Sequence, residues 1–590
     1  MFLITTADQR FWKTERPVLF LGEWCKLYSQ KEVWEKIPHQ VLPYHWDDRS
    51  KFQRDCHYVW GVYEKVLSAL AEWLNKTHQE DHDISYWRSI AGPWLFYFIQ
   101  VFFDRYSMID LALQSGKVGL TTIGRYKPEE FLPRDGVDFR DWVPTDRYNQ
   151  FLYSWLIENT PGLRYDTITP FPEENDIPAI PAGLSWQQRA KGLIKKGILF
   201  YEKNIPYRYN QIALVSSYLV PFDLFRLQLS LGQWPSLFSP QVRQQPVAVD
   251  QRLRDQFFLR TASDRFEELL SKIIGRQIPL LYLEGYKSMK ERTAASFVSR
   301  PKVILTANDW YDNEGFKFWA AGCRERGTKF IGAQHGGVYG TGLYFSMEEH
   351  ELRVSDRYYT WGWESVEFKN TKPLAAAKLN SCSKLKHDPG GKVLLTLVAL
   401  PRYSYYLYSA FLASTGQLAY FQDQYAFVAN LSQPARKLLL VRLFLGHHQW
   451  DEQKRWRDQF PDLTYDLRQK SFLERLRESR LFIGTCNSTT FLEAFAAGCP
   501  TILYWNPEHW ELRESAKPYF DRLKAVGILH DTPQAAAAKV NEIVGDPKTW
   551  WLREDVQLAK NEFCSRFASR SEKWLSEWRR ELLALAGQAN

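Results

Sequence analysis

The 590-residue chain is poor in the residues that define small secreted, fibrous or membrane-spanning proteins. It has seven Cys, an odd number with no CxxC pair, so neither a disulfide framework nor a cysteine zinc site is expected, and a reducing cytoplasm fits best. Its 32 Gly and 29 Pro are too few for a collagen-like or low-complexity chain. The most apolar stretch, residues 90–103, contains Pro93 and Gln100 and is shorter than the roughly 20 residues of a membrane span.

An excess of charge of one sign is also lacking. The 76 Lys and Arg face 68 Asp and Glu, for a formal net charge of +8, and no basic run has the density of a nucleic-acid-binding arm. The first ten residues lack the basic and apolar regions of a signal peptide. What is abundant is aromatic: 16% of the chain, including 24 Trp. We expect most of these rings in the core, and a few to stack on a ligand. The expected stacking residues are Trp24, Trp46, Trp310, Tyr339 and Trp505.

Short apolar runs that end in turn residues alternate with helical patterns over the second half of the chain. They cover residues 277–285, 301–309, 328–337 and 356–362, and then 392–400, 437–446, 480–490 and 500–505. This alternation predicts an α/β fold with parallel sheets, in two domains that face a cleft. The predicted units are an N-terminal domain at 1–363 with helical insertions, a linker at 364–391, a second domain at 392–550 and a helical tail at 551–590. Residues 121–185 are interpreted as loop or insertion, and the tail is expected to pack back or to lie on a membrane.

The strongest local signal follows the apolar run that ends at Gly484. The polar cluster there consists of Asn487, Ser488, Thr489 and Thr490. It begins a helix, whose free N–H groups and hydroxyls would bind a phosphate. The alternative is that Ser488 and Thr489 only cap the helix. One turn further on, Glu493 is placed to accept hydrogen bonds from ribose hydroxyls.

The second signal is a loop with five glycines in eleven residues, 332–342. Such a loop lets the backbone approach a ligand closely, and Gln334, Gly336 and Gly337 are candidate binding residues. His335 at the end of the preceding strand is a candidate acid, base or phosphate ligand, with a purely structural histidine as the alternative. The loop is not a P-loop, because no Gly-Lys-Ser/Thr follows.

Carboxylates that follow apolar runs form the third signal. Glu284 ends one run, and Asp309, Asp312 and Glu314 follow another, so each is a candidate nucleophile or general base. The alternatives are helix capping for the two aspartates and a solvated loop for Glu314.

Arg442 stands inside an apolar run, where its charge needs a phosphate or a buried carboxylate as partner. The adjacent pair His447-His448 lacks a spaced third ligand, so no metal site is expected.

These motifs resemble a family of bacterial surface-polysaccharide transferases found with O-antigen and capsule genes, and the likeness runs over essentially the whole chain. The shared segments are ITTADQRFWKTERPVLFLGEWC (4–25), YHWDD (44–48), YWRSIAGPWL (86–95), DRY (104–106), LEGYK (283–287), QHGGVYG (334–340) and CNSTTFLEA (486–494). The C-terminal half is similar to GT-B glycosyltransferases, which have two Rossmann-type domains facing a cleft. The QHG loop and the Ser/Thr helix start also look like transferases that use CMP-activated Kdo or nonulosonic acids.

The resemblance implies a metal-independent glycosyltransferase with a nucleotide-sugar donor, CMP-linked, and no separate cofactor. His335 matches the family histidine and residues 487–490 match the phosphate cluster, while Asp309, Asp312 and Glu314 stay alternatives for the carboxylate. A glycan or lipid-linked glycan acceptor is implied, at the cytoplasmic face of the inner membrane. A CDP-glycerol-type phosphotransferase, a UDP- or GDP-sugar transferase and a non-catalytic glycan assembly protein remain alternatives.

Overall fold

Three parallel sheets covered by helices make up the computed structural model of the chain. The structure describes residues 1–170, 197, 200–202, 204–236, 242–382, 385–410, 414–444, 446 and 448–587. Every strand pairing within this part of the chain is parallel, apart from two isolated antiparallel bridges. The predicted α/β class is therefore confirmed.

The first sheet has the order β3-β2-β1-β4-β5. Its strands are β1 (Phe2–Ile4), β2 (Val18–Phe20), β3 (His39–Val41), β4 (Leu120–Gly124) and β5 (Tyr165–Ile168). The helices Arg49–His78, Ile84–Ile90 and Gly92–Gln114 are inserted between β3 and β4. Residues 121–170 are not the loop that the sequence indicated: they complete β4 and contain β5 and two helices, Gly136–Trp142 and Asp146–Glu158. Residues 171–185 of that prediction lie outside the described residues.

The middle sheet has the order β10-β9-β8-β7-β6. Its strands are β6 (Ile212–Val215), β7 (Val303–Thr306), β8 (Lys329–Ala333), β9 (Arg357–Thr360) and β10 (Thr371–Pro373). All four residues of β7 are buried, as expected for a parallel strand covered on both faces. The predicted strand at 277–285 is wrong, because this segment forms the 3₁₀ turn Leu280–Tyr282. Pro221 starts the helix Pro221–Ser230, where its missing N–H costs no hydrogen bond.

The third sheet has the order β13-β12-β11-β14-β15-β16. Its strands are β11 (Lys392–Thr396), β12 (Leu439–Arg442), β13 (Thr464–Asp466), β14 (Ser479–Gly484), β15 (Thr501–Tyr504) and β16 (Leu529–His530). All four strands predicted in this region are present. The predicted linker at 364–391 contains β10 and the short helix Ala377–Asn380.

Further helices cover the sheets and connect their strands. They are Lys31–Trp34, Pro206–Tyr209, Pro221–Ser230, Gln251–Arg254, Arg265–Gln277, Tyr286–Ser296, Asp309–Asp312, Glu314–Arg324, Ser346–Val354, Thr415–Ala429, Gln433–Leu438, Glu452–Gln459, Phe472–Arg477, Thr489–Ala496, Lys517–Ala525, Pro533–Ile543, Pro547–Trp551, Glu554–Phe567 and Trp574–Leu585.

The C-terminal tail packs back onto the protein and joins two sheets. Phe563 and Phe567 lie in the core around the third sheet, whereas Trp578 belongs to the core of the middle sheet. There the Trp578 indole donates to the Ala375 carbonyl at 3.0 Å, and its ring centroid lies 5.5 Å from that of Tyr359. Within the described residues, no helix has the length and apolarity needed to span a bilayer.

The five aromatic residues expected to stack on a ligand are core residues. Trp24, Trp46, Trp310, Tyr339 and Trp505 are between 1% and 6% exposed. Their rings pack against other side chains, so the expectation that they provide open stacking surfaces is wrong.

Candidate functional site

The Gly-rich loop after β8 touches the helix start after β14, so the two strongest sequence signals meet. A Cβ on Gly337 would lie 2.4 Å from the carbonyl carbon of Ser488 and 2.6 Å from the nitrogen of Thr489. Only a glycine permits this approach. The Asn487 amide also donates to the Thr341 hydroxyl at 3.0 Å. Both loops follow the carboxyl ends of parallel strands, where α/β proteins bind their ligands.

The start of the helix Thr489–Ala496 is not capped by a side chain. Ser488 occupies the N-cap position, but its hydroxyl lies 3.0 Å from that of Thr490 instead of accepting an N–H from the first turn. Residues 488–490 are half-buried. The Asn487 Oδ1 atom is buried and has no hydrogen-bond partner within the described residues. Capping alone therefore does not account for the cluster, whose N–H groups and hydroxyls are available to an anion.

Gln334 holds the Gly-rich loop in place from the inside. Its Oε1 atom accepts from the Trp361 backbone N–H and from the Trp363 indole, both at 2.8 Å. Its Nε2 atom donates to the Gly336 carbonyl, also at 2.8 Å. The side chain is 3% exposed and makes three hydrogen bonds to the protein, so it shapes the loop.

A segment of the C-terminal region, residues 511–513, clips the far end of this loop. The Arg513 guanidinium donates to Glu348 at 2.6 Å, and Glu348 accepts from the Gly340 N–H at 2.7 Å. Gly342 forms an antiparallel bridge with Leu512. The loop is thereby tied to the region that carries the helix start.

His335 stands at the carboxyl end of β8, and its side chain is 14% exposed. Its Nε2 atom lies 2.7 Å from the Tyr339 hydroxyl and 3.2 Å from Glu351 Oε1. The Tyr218 ring centroid is 5.4 Å from that of the imidazole. Tyr218 and Ser216 both adopt left-handed backbone conformations, with φ of 61° and 47°. Strained non-glycine residues of this kind concentrate at functional sites.

The structure distinguishes the carboxylate candidates by their partners. Asp309 is buried at 7% exposure, and it accepts hydrogen bonds from the uncharged side chains of Ser216 and Asn313, the latter at 3.1 Å. Burial raises the pKa of Asp309 above its usual value. Within the described residues it has no cationic partner, and it follows β7, the neighbour of the strand that ends at His335.

The other three carboxylates are committed to ion pairs. Asp312, 56% exposed, pairs with Arg140. Glu314 lies 2.8 Å from the Lys317 ammonium and accepts from the Tyr282 hydroxyl at 2.9 Å. Glu284 binds Arg254 through two hydrogen bonds of 2.8 and 2.6 Å. These contacts favour structural roles for all three.

Arg442 and Glu493 also have protein partners. Arg442 pairs with Asp466, its neighbour in register on β13, and donates to the Lys470 carbonyl at 3.0 Å, which favours the salt-bridge alternative. Glu493 lies 3.2 Å from the ammonium of Lys378, and burial raises the pKa of its carboxyl. The same ammonium is 5.7 Å from the Tyr218 ring centroid, so Lys378 connects the two sides of the cleft.

Sequence reasoning missed three residues at this site. Glu351 lies in a helix without a motif, Lys378 in a segment interpreted as linker, and Tyr218 in a segment without a candidate motif. Lys378 stands 110 positions before Ser488, so the sequence carried no signal of its closeness to the helix start. Within the described residues, no three His, Cys, Asp or Glu side chains are grouped so as to hold a metal ion, and His447 lies outside those residues.

Fold and site together define an α/β protein in which a Gly-rich loop after the middle sheet meets a polar helix start after the third sheet. Comparison of the sequence is more specific. The model of the LIC12162 family transferases matches residues 1–582, and the chain belongs to this family. Membership confirms the prediction of a transferase. No curated protein gives a significant match.

Solved structures resemble the chain only weakly. A UDP-N-acetylglucosamine 2-epimerase aligns at 10% identity over 65% of this chain and 98% of its own, with a TM-score of 0.34. MurG of Acinetobacter baumannii aligns at 11% identity over 51% and 78%, with a TM-score of 0.29. WaaG, a glycosyltransferase involved in lipopolysaccharide biosynthesis, aligns at 10% identity over 51% and 95%, with a TM-score of 0.26. Alignments at these scores carry no argument about function.

Proposed function

We propose that the chain is a metal-independent GT-B-type glycosyltransferase that moves a sugar from a nucleotide donor to a bacterial surface glycan. The observation that carries this proposal is the contact between the His335 loop and the uncapped start of the helix Thr489–Ala496. A phosphate bound at that helix start would lie beside the Gly-rich loop. Membership in a transferase family implies that a chemical group is transferred, and a helix start suited to anions favours a donor activated through phosphate.

The donor we propose is CMP-linked Kdo or a CMP-linked nonulosonic acid. These sugars carry a carboxylate in addition to the phosphate, so their site needs a second source of positive charge. Lys378, which lies between Glu493 and Tyr218, is a cation in a suitable place. Glu493 is on the same helix as the phosphate cluster and would accept hydrogen bonds from the ribose hydroxyls.

For the chemical step, we assign Asp309 as general base and His335 as the donor to the leaving phosphate. Asp309 would take the proton of the acceptor hydroxyl while that oxygen bonds to the anomeric carbon and the bond to the nucleotide phosphate breaks. A protonated His335 would donate to the phosphate as its charge develops. The clip at residues 511–513 keeps the two sides of the cleft together and so helps to exclude water.

Thermal shift with CMP, CDP, UDP and GDP tests the donor class. A ligand that binds only the folded protein should stabilise it by ~2.7 kcal/mol at a hundredfold excess over Kd. We expect the largest shift with CMP, followed by hydrolysis or transfer of the matching CMP-sugar. A shift with CDP together with glycerol-phosphate transfer, or with UDP or GDP together with sugar transfer, would replace the donor we propose.

A pair of serine variants locates the phosphate. Ser488→Ala should abolish most of the CMP shift with little loss of stability, because Ser488 makes no capping bond. Ser471→Ala is the matched control: Ser471 caps the helix Phe472–Arg477 in a capping box with Glu474. Its loss should cost about 1 kcal/mol of stability and leave the CMP shift unchanged. Equal CMP shifts in both variants would remove the helix start from the site.

We further propose a lipid-linked acceptor at the cytoplasmic face of the inner membrane. The tail is not the membrane contact, since Trp574, Trp578 and Leu582 are 8%, 4% and 0% exposed. Flotation of the full chain with vesicles of phosphatidylethanolamine and phosphatidylglycerol tests this location. Recovery of all the protein in the soluble fraction would contradict it.

A further inference from the structure

Glu351 is a buried carboxylate at the centre of four polar groups beside the proposed site. It lies in the helix Ser346–Val354, and its side chain is 0% exposed. The four groups are the hydroxyls of Tyr311, Tyr339 and Tyr358 and the imidazole of His335. The tyrosine distances are 3.2, 2.8 and 2.8 Å in that order. A carboxylate so enclosed has a strong influence on whichever neighbour can carry positive charge.

The tyrosines serve as donors in this cluster. Burial raises the pKa of Tyr311, Tyr339 and Tyr358 well above the usual value, and the nearby Glu351 charge adds to the effect. All three hydroxyls therefore keep their protons. Glu351 accepts from Tyr339 and Tyr358, and the Tyr311 proton is shared between Glu351 Oε1 and the Met347 carbonyl, both at 3.2 Å. Within the described residues, the one ion-pair partner of Glu351 is His335.

The hydrogen bonds also determine which imidazole nitrogen carries a proton. The Tyr339 hydroxyl has a single proton, which it donates to Glu351 Oε1 at 2.8 Å. Its oxygen, 2.7 Å from His335 Nε2, can then only accept from that nitrogen. Nε2 is consequently the protonated atom, held by Tyr339 and by Glu351 at 3.2 Å. Within the described residues, Nδ1 makes no hydrogen bond and is the nitrogen left for a ligand.

We infer that Glu351 is the positioning residue of His335: it holds Nε2–H inward and leaves Nδ1 as the nitrogen that donates to an anion when the ring carries two protons. The role of that anion as the leaving phosphate rests on the proposed function, whereas the orientation and protonation of the ring do not. The carboxylate acts through the imidazole and touches no substrate itself.

Other charged or titratable groups also face the imidazole. Tyr218 lies on its exposed side, and the Lys378 ammonium lies over the Tyr218 ring. Burial raises the pKa of the Tyr218 hydroxyl, and the nearby carboxylates of Asp312 and Asp309 add to that increase. None of these groups touches Nε2, so removal of Glu351 should change the ring in a way that they cannot reproduce.

The first test is donor-free and uses the full chain labelled with [¹⁵N]histidine. The His335 imidazole signals are assigned by their loss in His335→Asn. In the wild type we expect Nε2 to carry the proton when the ring is neutral. In Glu351→Gln, the proton of the neutral ring should be shared between Nε2 and Nδ1, because the carboxylate that accepts from Nε2–H is lost. An Nε2 proton unchanged from the wild type would overturn the inference.

Two more variants separate charge from packing. Glu349→Gln removes a carboxylate from the same helix that pairs with Arg353 at 2.7 Å, and it should leave the His335 proton on Nε2. Tyr339→Phe keeps the contact between Glu351 and His335, so Nε2 should stay protonated there as well. It also serves if Glu351→Gln does not fold, because a proton that moves to Nδ1 in Tyr339→Phe would show that Tyr339, and not Glu351, positions the ring.

Kinetics with the donor found by thermal shift form the second readout. Glu351→Gln should lower kcat roughly 10- to 100-fold and change the donor KM by no more than a few-fold, because the phosphate site is intact. An altered proton position on the ring without any transfer activity would leave the inference standing and refute the proposed function. Normal kinetics in Glu351→Gln would overturn the inference alone.

Discussion

The first and middle sheets are both five-stranded and parallel, but their carboxyl ends carry opposite kinds of chemistry. In the first sheet, the charges near these ends are paired. Arg105 is 0% exposed, pairs with Asp104 and donates to the Ser404 carbonyl at 2.7 Å. Arg402 comes from the loop after β11 and pairs with Asp146. At this edge, the first sheet packs against the C-terminal region and forms a structural joint with it.

In the middle sheet, the charged groups are buried but not neutralised. Asp309 accepts only from uncharged side chains, and Glu351 has His335 as its ion-pair partner within the described residues. Groups left in this state are costly in a folded protein and are typical of sites that bind or react. The same scaffold thus holds a structural joint at one sheet edge and a candidate active site at the other.

The largest expected effect tests the middle edge. Asp309→Asn should lower kcat for transfer by about 10²- to 10⁴-fold with little change in thermal stability, because it removes the general base. Burial raises the pKa of the Asp309 carboxyl above its ordinary value of 3.8, and the base must be deprotonated to act. Wild-type activity should therefore decline as the pH falls toward this raised pKa. That decline should be absent from the residual activity of the variant. A greater loss of kcat in Asp312→Asn would show that Asp312, and not Asp309, is the general base.

Variants at the carboxyl edge of the first sheet should lose stability and keep their activity. Arg105→Leu leaves Asp104 buried without its cation and should cost about 3–5 kcal/mol, measured as a lower urea midpoint. Activity per folded molecule should stay close to wild type. Arg436→Leu is the control, because it breaks a surface pair with Asp462, 59% exposed, and should cost about 0–1 kcal/mol. Equal midpoints for the two variants would contradict the contrast between the sheets.

The contact between the loop and the helix start is tested by one added methyl group. The added Cβ in Gly337→Ala would lie 2.4 Å from the Ser488 carbonyl carbon. This clash should weaken the binding free energy of CMP by about 1–3 kcal/mol, measured by titration calorimetry. Gly61→Ala, in an open position of the helix Arg49–His78, should bind CMP as the wild type does. Wild-type affinity in Gly337→Ala would show that the contact does not shape the site.

The smallest expected effect is a pH dependence of stability caused by His350, which differs from the buried His45 in its partners. His45, at the first sheet, lies 2.9 Å from Asp104, whereas neither ring nitrogen of His350 has a partner within the described residues. Burial lowers the pKa of His350 from 6.5 to about 3. Since the unfolded chain then binds the proton more tightly, stability should fall as the pH drops below 6.5, by up to about 1.4 kcal/mol per pH unit.

His350→Phe should reduce this acid-dependent loss, which urea unfolding at pH 7 and pH 5.5 would measure. A smaller loss should remain, because burial also lowers the pKa of His45. The surface variant His57→Gln should keep the full loss. The same pH dependence in His350→Phe as in the wild type would mean that another group causes the loss.

The sequence predicted the candidate site where chemistry and local structure coincide. Glycines in the loop around His335 and hydroxyls after Gly484 are local features, so they could be recognised without a fold. The sequence could not tell Asp309 from Asp312, since the difference lies in their partners, Arg140 in one case and uncharged side chains in the other. Glu351 was missed because its importance comes from three tyrosines on separate elements.

The fold was predictable in the same uneven way. Four strands of the third sheet, β11, β12, β14 and β15, lie in apolar runs and were found, whereas β13 and β16 were not. The strands of the first sheet are three to five residues long, and β5 is largely exposed, so only β2, in the apolar run at residues 17–22, has a recognisable pattern. The run at 277–285 was mistaken for a strand because a buried 3₁₀ turn is equally apolar.

By itself, then, the sequence determined the α/β class, the polar helix start and the histidine loop, because backbone propensity and hydrogen-bonding capacity depend on neighbouring residues. Tertiary structure alone decided that Gly337 touches Ser488, that Asp309 has no cationic partner among the described residues and that Glu351 contacts His335. Burial and pairing of charge depend on residues far apart in the chain, and these determine which polar groups stay available for chemistry.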